Sequence, residues 1–209
     1  MEFVVPRLHV VTGVRPLETV AAVVAAAAEV GATSRLAIQV RVADDVTDRT
    51  AYTLTVAVLE ICRRAAVMCL VNDRLDVALA AAADGAHVGA DDLPVAAARA
   101  VLGPAAVLGA TCRTPAAAVE ALAAGATYAG VGPAFATTTK DGLPDPIGAA
   151  GVGAVASAID APVIAIGGVT VARVPSLLRA GAYGVAAVGA ISGAADPARA
   201  AQEFLTVLR

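Results

Sequence analysis

The chain has 209 residues, a formal net charge of −3, a hydrophobic fraction of 58% and only 3% aromatic residues. Such a length suits a single domain with a sizeable core, and that core has to be built from Ala, Val, Leu and Ile, which fits helices laid on parallel strands. With no basic run and few stacking rings, nucleic acid is not an expected partner, and the apolar stretches are broken by Gly, Asp or Arg before they make a membrane span.

Taken in order, the N-terminus shows no basic segment leading into an apolar core and a cleavage site, so a soluble cytoplasmic protein is expected. Arg7 to Thr12 reads as a first strand. Pro16 to Val30 is an alanine-rich helix stopped at Gly31, as a left-handed cap would stop it. Arg35 to Arg41 is a second strand, followed by a helix from about Asp48 to Arg64. Ala66 to Asn72 is the third strand and Arg74 to Ala83 the next helix. Gly85 to Gly89 is a short fourth strand, Leu93 to Leu102 a helix, and Ala105 to Ala110 strand five. Thr114-Pro115 pairs an N-cap with proline at the first helical position and opens a helix that closes at Gly125. Strand six starts at Tyr128 and empties into Thr137-Thr138-Thr139-Lys140. Asp145-Pro146 begins a further helix. Pro162 to Ile166 is strand seven, Val171 to Ala180 a helix closed by Gly181, and Gly184 to Val188 strand eight. Asp196-Pro197 caps the last helix. Cys62, Cys69 and Cys112 are odd in number and lack metal-type spacing, which argues against a disulfide framework.

Strict alternation of strand and helix forces parallel strands with helices outside. Eight such units close most naturally into a (β/α)8 TIM barrel, here expected as one domain over residues 1–209. An open doubly wound sheet would leave edge strands, and the dinucleotide glycine fingerprint is absent after strand one.

Ligand sites of such barrels lie at the C-terminal ends of the strands. There the chain delivers Thr12, then Gln39 and Arg41, then Asn72 and Asp73, then His87, Gly89 and Asp91-Asp92. Thr111 and Cys112 follow, then the Thr137 to Lys140 loop, Gly167-Gly168 and Gly189. Asp73 and Asp92 are hard oxygen donors on adjacent strands and suit Mg2+ completed by water and phosphate; either could instead cap the helix that follows it. Arg41 and Lys140 suit anionic oxygens, although Arg41 could instead pair with Asp44 or Asp45. Asn72, Thr111, Thr137 and Thr139 add neutral donors, and the glycines after strands seven and eight expose backbone N–H groups to a second phosphate. His9 reads as a satisfied core residue, His87 as a group that orients a neighbour, and Cys112 as lining. With no evident nucleophile or general base, the set favours displacement of pyrophosphate.

Gln39-Val40-Arg41, Val71-Asn72-Asp73-Arg74, Gly85-Ala86-His87-Val88-Gly89-Ala90-Asp91-Asp92, Val131 to Lys140 and Ala165-Ile166-Gly167-Gly168-Val169 together resemble the thiamine phosphate synthase family over nearly the whole chain. The resemblance implies a transferase that joins hydroxymethylpyrimidine diphosphate to thiazole phosphate with Mg2+, releasing pyrophosphate. It implies that Gln39 meets the pyrimidine, that Arg41, Asn72 and Lys140 hold the diphosphate, and that Asp73 and Asp92 bind the metal. Thr111 would stand where the family has a serine, so that Arg41, Asn72, Thr111 and Lys140 carry the catalysis. Thr137 and Thr139 would line the thiazole pocket, and Gly168, Val188 and Gly189 would meet the thiazole phosphate.

The family pattern Gln-x-Arg-x-Lys ends here at Ala43, Gly189 replaces a common serine, and Ala90 stands where glutamine is usual. Lys140 being the only lysine, Arg74 and Arg113 are the candidate substitutes. The related thiazole tautomerases rank second, since their catalytic histidine would fall at Arg113. A non-catalytic barrel that binds a phosphorylated metabolite ranks third. Small phosphorylated molecules are the expected partners, and self-association into a homo-oligomer stays open.

Overall fold

In the computed structural model, which describes residues 4–13, 15–139 and 142–209, the apolar runs become strands β1 (Leu8–Val11), β2 (Leu36–Val40), β3 (Met68–Asn72) and β4 (Gly85–Val88). They are followed by β5 (Val107–Cys112), β6 (Tyr128–Val131), β7 (Val163–Ala165) and β8 (Gly184–Ala187). All pair in parallel with their sequence neighbours, and β8 pairs with β1 to close the barrel. Between them lie α1 (Pro16–Glu29), α2 (Asp48–Arg64), α3 (Leu75–Ala81), α4 (Val95–Leu102) and α5 (Pro115–Ala123). Then come α6 (Gly148–Ala156), α7 (Val174–Arg179), α8 (Gly189–Ser192) and α9 (Pro197–Val207). The expected (β/α)8 barrel is therefore the fold.

Parallel strands covered on both faces read as continuous apolar runs, because alternate side chains enter the barrel and the helix layer. Leu70, Val107, Tyr128, Ile164 and Ala186 face inward and pack together. Leu8, Val10, Ile38, Cys69 and Leu108 face outward into a larger layer shared with the helices. Each fully buried branched side chain contributes roughly 1.5–3 kcal/mol. The helix signals at Gly31, Thr114 and Asp196 are local and form as read, and Thr47 adds a cap not anticipated from sequence. Gly31 takes φ 62 after α1, and the Thr47, Thr114 and Asp196 side chains accept hydrogen bonds from the first turns of α2, α5 and α9. At the closure Gln202 on α9 donates to Glu29 on α1 at 3.1 Å.

Three departures bear on the site. First, α6 starts at Gly148 rather than at Asp145-Pro146. The Ile147 and Gly148 N–H groups donate to Pro133 O and Ala134 O at 2.9 and 3.0 Å, so the donors of a first turn are spent on the loop after β6. Second, β5 runs two residues past Ala110, because Thr111 and Cys112 pair with Gly130 and Val131. Third, the four-residue α8 follows β8 directly, and the helix expected from Val171 begins as a 3-10 turn before α7.

Candidate active site

A cleft of about 500 Å³ opens at the C-terminal mouth of the barrel. On one side, inward-facing residues of β2 and β3 meet: the Gln39 amide donates from Nε2 to Asn72 Oδ1 at 2.7 Å, and both side chains line the cleft. Arg41 follows on the same wall. Its N–H donates to Thr12 Oγ1 at 2.8 Å, and the Thr12 hydroxyl donates back to Arg41 O at 2.9 Å. Thr12 thus clamps the Arg41 backbone at the C-terminal end of β1 and, being buried, does not line the cleft itself. Among the described residues the Arg41 guanidinium forms no ion pair with Asp44 or Asp45. It borders the cleft.

Asp73 and Asp92 line the same cleft. Asp73 sits at φ 64, an uncommon backbone region for a non-glycine residue, and its N–H donates to His87 O at 2.8 Å. The N-cap of α3 is Arg74. Asp92 does not cap α4, which starts at Val95 with Pro94 as its N-cap; its Oδ2 accepts from Gly89 N–H at 2.6 Å instead and closes the turn after β4. No group of three or more His, Cys, Asp or Glu that could hold a metal exists among the described residues. Magnesium surrounded mostly by water and phosphate needs only one or two carboxylates, so this donor set fits it.

Of the two candidate substitutes for the absent lysine, Arg74 is already committed. It pairs with Asp48 at 2.7 Å and donates to Val46 O, Ala43 O and Asp44 O at 2.6, 3.3 and 3.4 Å. It therefore fastens the loop after β2 and does not reach the cleft. Arg113 does line the cleft; one nitrogen donates to Asp145 O at 2.9 Å, while its buried Nη1 has no hydrogen-bond partner among the described residues.

The floor of the cleft is a polar chain inside the barrel. His87 Nε2 lies 3.0 Å from Thr111 Oγ1, and Nδ1 lies 3.0 Å from the Tyr128 hydroxyl. Room for the two rings comes from glycines on the next strands. A Cβ at Gly109 would come within 2.2 Å of Tyr128 Cζ and 2.4 Å of His87 Nδ1, and one at Gly130 within 2.6 Å of His87 Cε1. His9 is buried as expected, yet inside the barrel, edge-on to Tyr128 with ring centroids 5.1 Å apart, its Nε2–H donating to Pro6 O. Burial pushes His9 down to about 3 and His87 down to about 4. Cys112 does not line the cleft: as the last residue of the longer β5 it faces the helix layer, and burial pushes its thiol up to about 11.

The opposite side is a backbone-rich corner. The Ala134 and Phe135 N–H groups donate to Ile166 O and Gly167 O at 2.7 and 2.9 Å, drawing the loops after β6 and β7 together. Gly168, at φ 61, permits this approach, since a Cβ there would lie 2.4 Å from Ala136 O. Gly168, Val188 and Gly189 line this end of the cleft, as do Thr137 and Thr139, whose hydroxyls are 3.1 Å apart. Lys140 lies outside the described residues, as does Asp141. Arg173, not anticipated from sequence, also lines the cleft; its guanidinium stacks 4.5 Å from the Phe135 ring centroid and donates to Gly168 O at 2.6 Å. Its position in the 3-10 turn that leads into α7 offers no periodic signal by which to find it.

A closed parallel barrel that collects its polar side chains at one mouth defines a (β/α)8-barrel enzyme. A family model described as thiamine monophosphate synthase matches residues 8–191, and the chain belongs to that family. It is 62% identical over 202 residues to the thiamine-phosphate synthase of Salinispora arenicola, covering 97% of each chain. The corresponding figures for the Salinispora tropica thiamine-phosphate synthase are 60% and 97%. Among solved structures it superposes with a TM-score of 0.85 on a thiamine phosphate pyrophosphorylase from Pyrococcus furiosus, at 31% identity and covering 97% and 95% of the two chains.

Proposed function

We propose that this protein is a cytoplasmic transferase, one barrel domain, that couples hydroxymethylpyrimidine diphosphate to thiazole phosphate and releases pyrophosphate. The observation that carries this reading is the convergence of Asp73, Asp92 and Arg41, which forms no ion pair among the described residues, on one cleft of about 500 Å³, opposite a glycine-rich backbone corner. The chain-level likeness to thiamine-phosphate synthases supports it.

The reaction breaks the carbon–oxygen bond to the diphosphate, the electron pair leaving with pyrophosphate, and the freed carbon bonds to the thiazole ring nitrogen through that nitrogen's lone pair. Catalysis therefore depends on stabilising a leaving anion, for which preorganised donors in a water-poor cleft are well suited. Arg41 offers a planar guanidinium. Asn72, with its oxygen occupied by Gln39, has its amide N–H groups left for the diphosphate, and Thr111 adds a hydroxyl. Lys140 is the remaining cation in this reading. Mg2+ held by Asp73 and Asp92 would supply further neutralisation of the diphosphate. Thr137, Thr139 and the backbone of Gly168, Val188 and Gly189 receive the thiazole phosphate, and Gln39 borders the pyrimidine. Arg113, which lines the cleft and whose Nη1 lacks a partner among the described residues, is the better placed substitute for the lysine absent at Ala43, since Arg74 is held elsewhere.

The test is direct: purified protein, both substrates and magnesium are mixed and pyrophosphate release is followed. Turnover is expected. Tight binding of thiazole phosphate with no turnover would replace this reading by a non-catalytic phosphate-binding barrel.

A further inference from the structure

The interior chain Thr111, His87, Tyr128 has two internally consistent polarities, and only one suits a cleft that takes anions. A neutral imidazole carries one ring proton, so one nitrogen donates and the other accepts. If Nδ1–H donates to Tyr128, Nε2 accepts from Thr111. Thr111 then turns only lone pairs to the cleft, and the Tyr128 proton, on a side chain 1% exposed, has no acceptor among the described residues. In the reverse polarity the Tyr128 O–H donates to Nδ1 and Nε2–H donates to Thr111 Oγ1. Every buried proton then has an acceptor, and the one left over, on Thr111, faces the cleft. An orphaned buried hydroxyl biases such an equilibrium by roughly tenfold or more.

We infer that Tyr128 and His87 are positioning residues: together they hold the Thr111 hydroxyl as a hydrogen-bond donor to an anionic oxygen bound in the cleft. Thr111 is the residue that touches the ligand, and the other two act through it. Both His87 ring nitrogens meet hydroxyls and, among the described residues, neither meets a carboxylate, so the ring holds one proton and the chain a single polarity. Neither ring can turn away, because the space each fills is cut by Gly109 and Gly130. His9 does not share this role: it meets the Tyr128 ring edge-on, and the hydroxyl's partner is His87 Nδ1. The role of the donor in turnover rests on the proposed transfer reaction; the polarity itself does not.

The experiment reads both. Nitrogen-15 NMR of the two histidines near pH 7.5 is expected to find His87 protonated on Nε2; protonation on Nδ1 overturns the inference. Tyr128→Phe fills the same space but leaves His87 Nδ1 without its partner, so it should fold with a Tm only a few degrees below wild type. It should weaken binding of pyrophosphate with magnesium by about threefold to tenfold, as loss of a well-held donor to an anion would. It should lower kcat similarly with little change in KM for thiazole phosphate. His87→Gln provides an amide donor to Thr111 that needs no tyrosine, so adding Tyr128→Phe there should cost less than ~twofold. An equal penalty in both backgrounds reduces Tyr128 to packing and sinks the inference. If pyrophosphate binding follows the expected pattern while no turnover occurs, the transfer reaction fails and the positioning chain stands.

Discussion

Gln39 donates from Nε2 to Asn72 Oδ1 at 2.7 Å across the β2–β3 boundary, which orients the asparagine amide with its N–H groups left for the cleft. Gln39→Glu removes the donor at that place. Asn72 then gains by flipping to donate to the new carboxylate, and it presents its oxygen to the diphosphate. We expect kcat/KM to fall by about tenfold to a hundredfold, the scale of one lost hydrogen bond to a charged group, with an added repulsion. Pyrophosphate release measured beside a thermal melt checks this, and an unchanged rate would show that Asn72 is oriented by something else.

Asp92→Asn retains an oxygen that can accept from Gly89 N–H, so the turn after β4 survives. The charge is lost. Turnover should be abolished and its dependence on magnesium concentration with it, while the unfolding temperature stays near that of wild type. Normal rates in this variant would reduce Asp92 to a turn residue.

Arg74→Gln should destabilise without touching the ligand. Its guanidinium, 18% exposed, ties Asp48 and the carbonyls after β2 to the start of α3. Losing a partly buried ion pair and orphaning those carbonyls should cost about 1–3 kcal/mol, or roughly 2–10 °C in Tm for a chain of this size. Thermal unfolding with substrate affinity as the control decides it; a large rise in KM for the diphosphate with no change in Tm would place Arg74 in the site after all.

Two glycine substitutions should behave oppositely. Gly130→Ala drives a methyl to within 2.6 Å of His87 Cε1, so either the ring or the strand must move, at a cost of about 1–3 kcal/mol. Gly189→Ser meets nothing closer than Thr139 Oγ1 at 3.6 Å, and should fold normally while adding a hydroxyl donor at the proposed phosphate corner. Calorimetric titration with thiazole phosphate should show equal or tighter binding for Gly189→Ser.

Acid should unfold the protein partly through its interior imidazoles. Burial first, then the neighbouring His87, lowers His9 to about 3 on folding, from an unfolded value near 6.5. The unfolded chain therefore binds a proton that the folded one refuses. Stability is full above about 6.5, declines as pH falls through that window and levels off near 3, a loss on the order of a few kcal/mol. Urea unfolding between pH 7 and 4 should show this slope, and His9→Gln, which can still donate to Pro6 O, should flatten it. The same slope in both proteins would exclude His9 as the source.

Which parts of this were legible in the sequence follows from how far each cause reaches along the chain. Gly31, Thr114 and Asp196 end or begin their helices through contacts within a few residues, and they appear where the sequence puts them. Apolar runs in strict alternation with helices likewise require parallel strands, and closure follows from their number. The start of α6, the extension of β5 and the direction of Cys112 were not legible. Each depends on which distant backbone atom accepts a hydrogen bond: Pro133 O for Ile147, and the β6 partners for Thr111 and Cys112.

The amino-acid sequence alone therefore determined the barrel, the mouth that carries the polar residues and the identity of most of them, because strand periodicity and helix caps act locally. Only the tertiary structure decided that Arg74 braces a loop while Arg41 borders the cleft with no ion pair among the described residues, and that His87 and Tyr128 lie under Thr111. Those facts belong to side chains brought together from strands far apart in sequence, where the space left by a glycine on one strand and the reach of a ring on another jointly set the geometry.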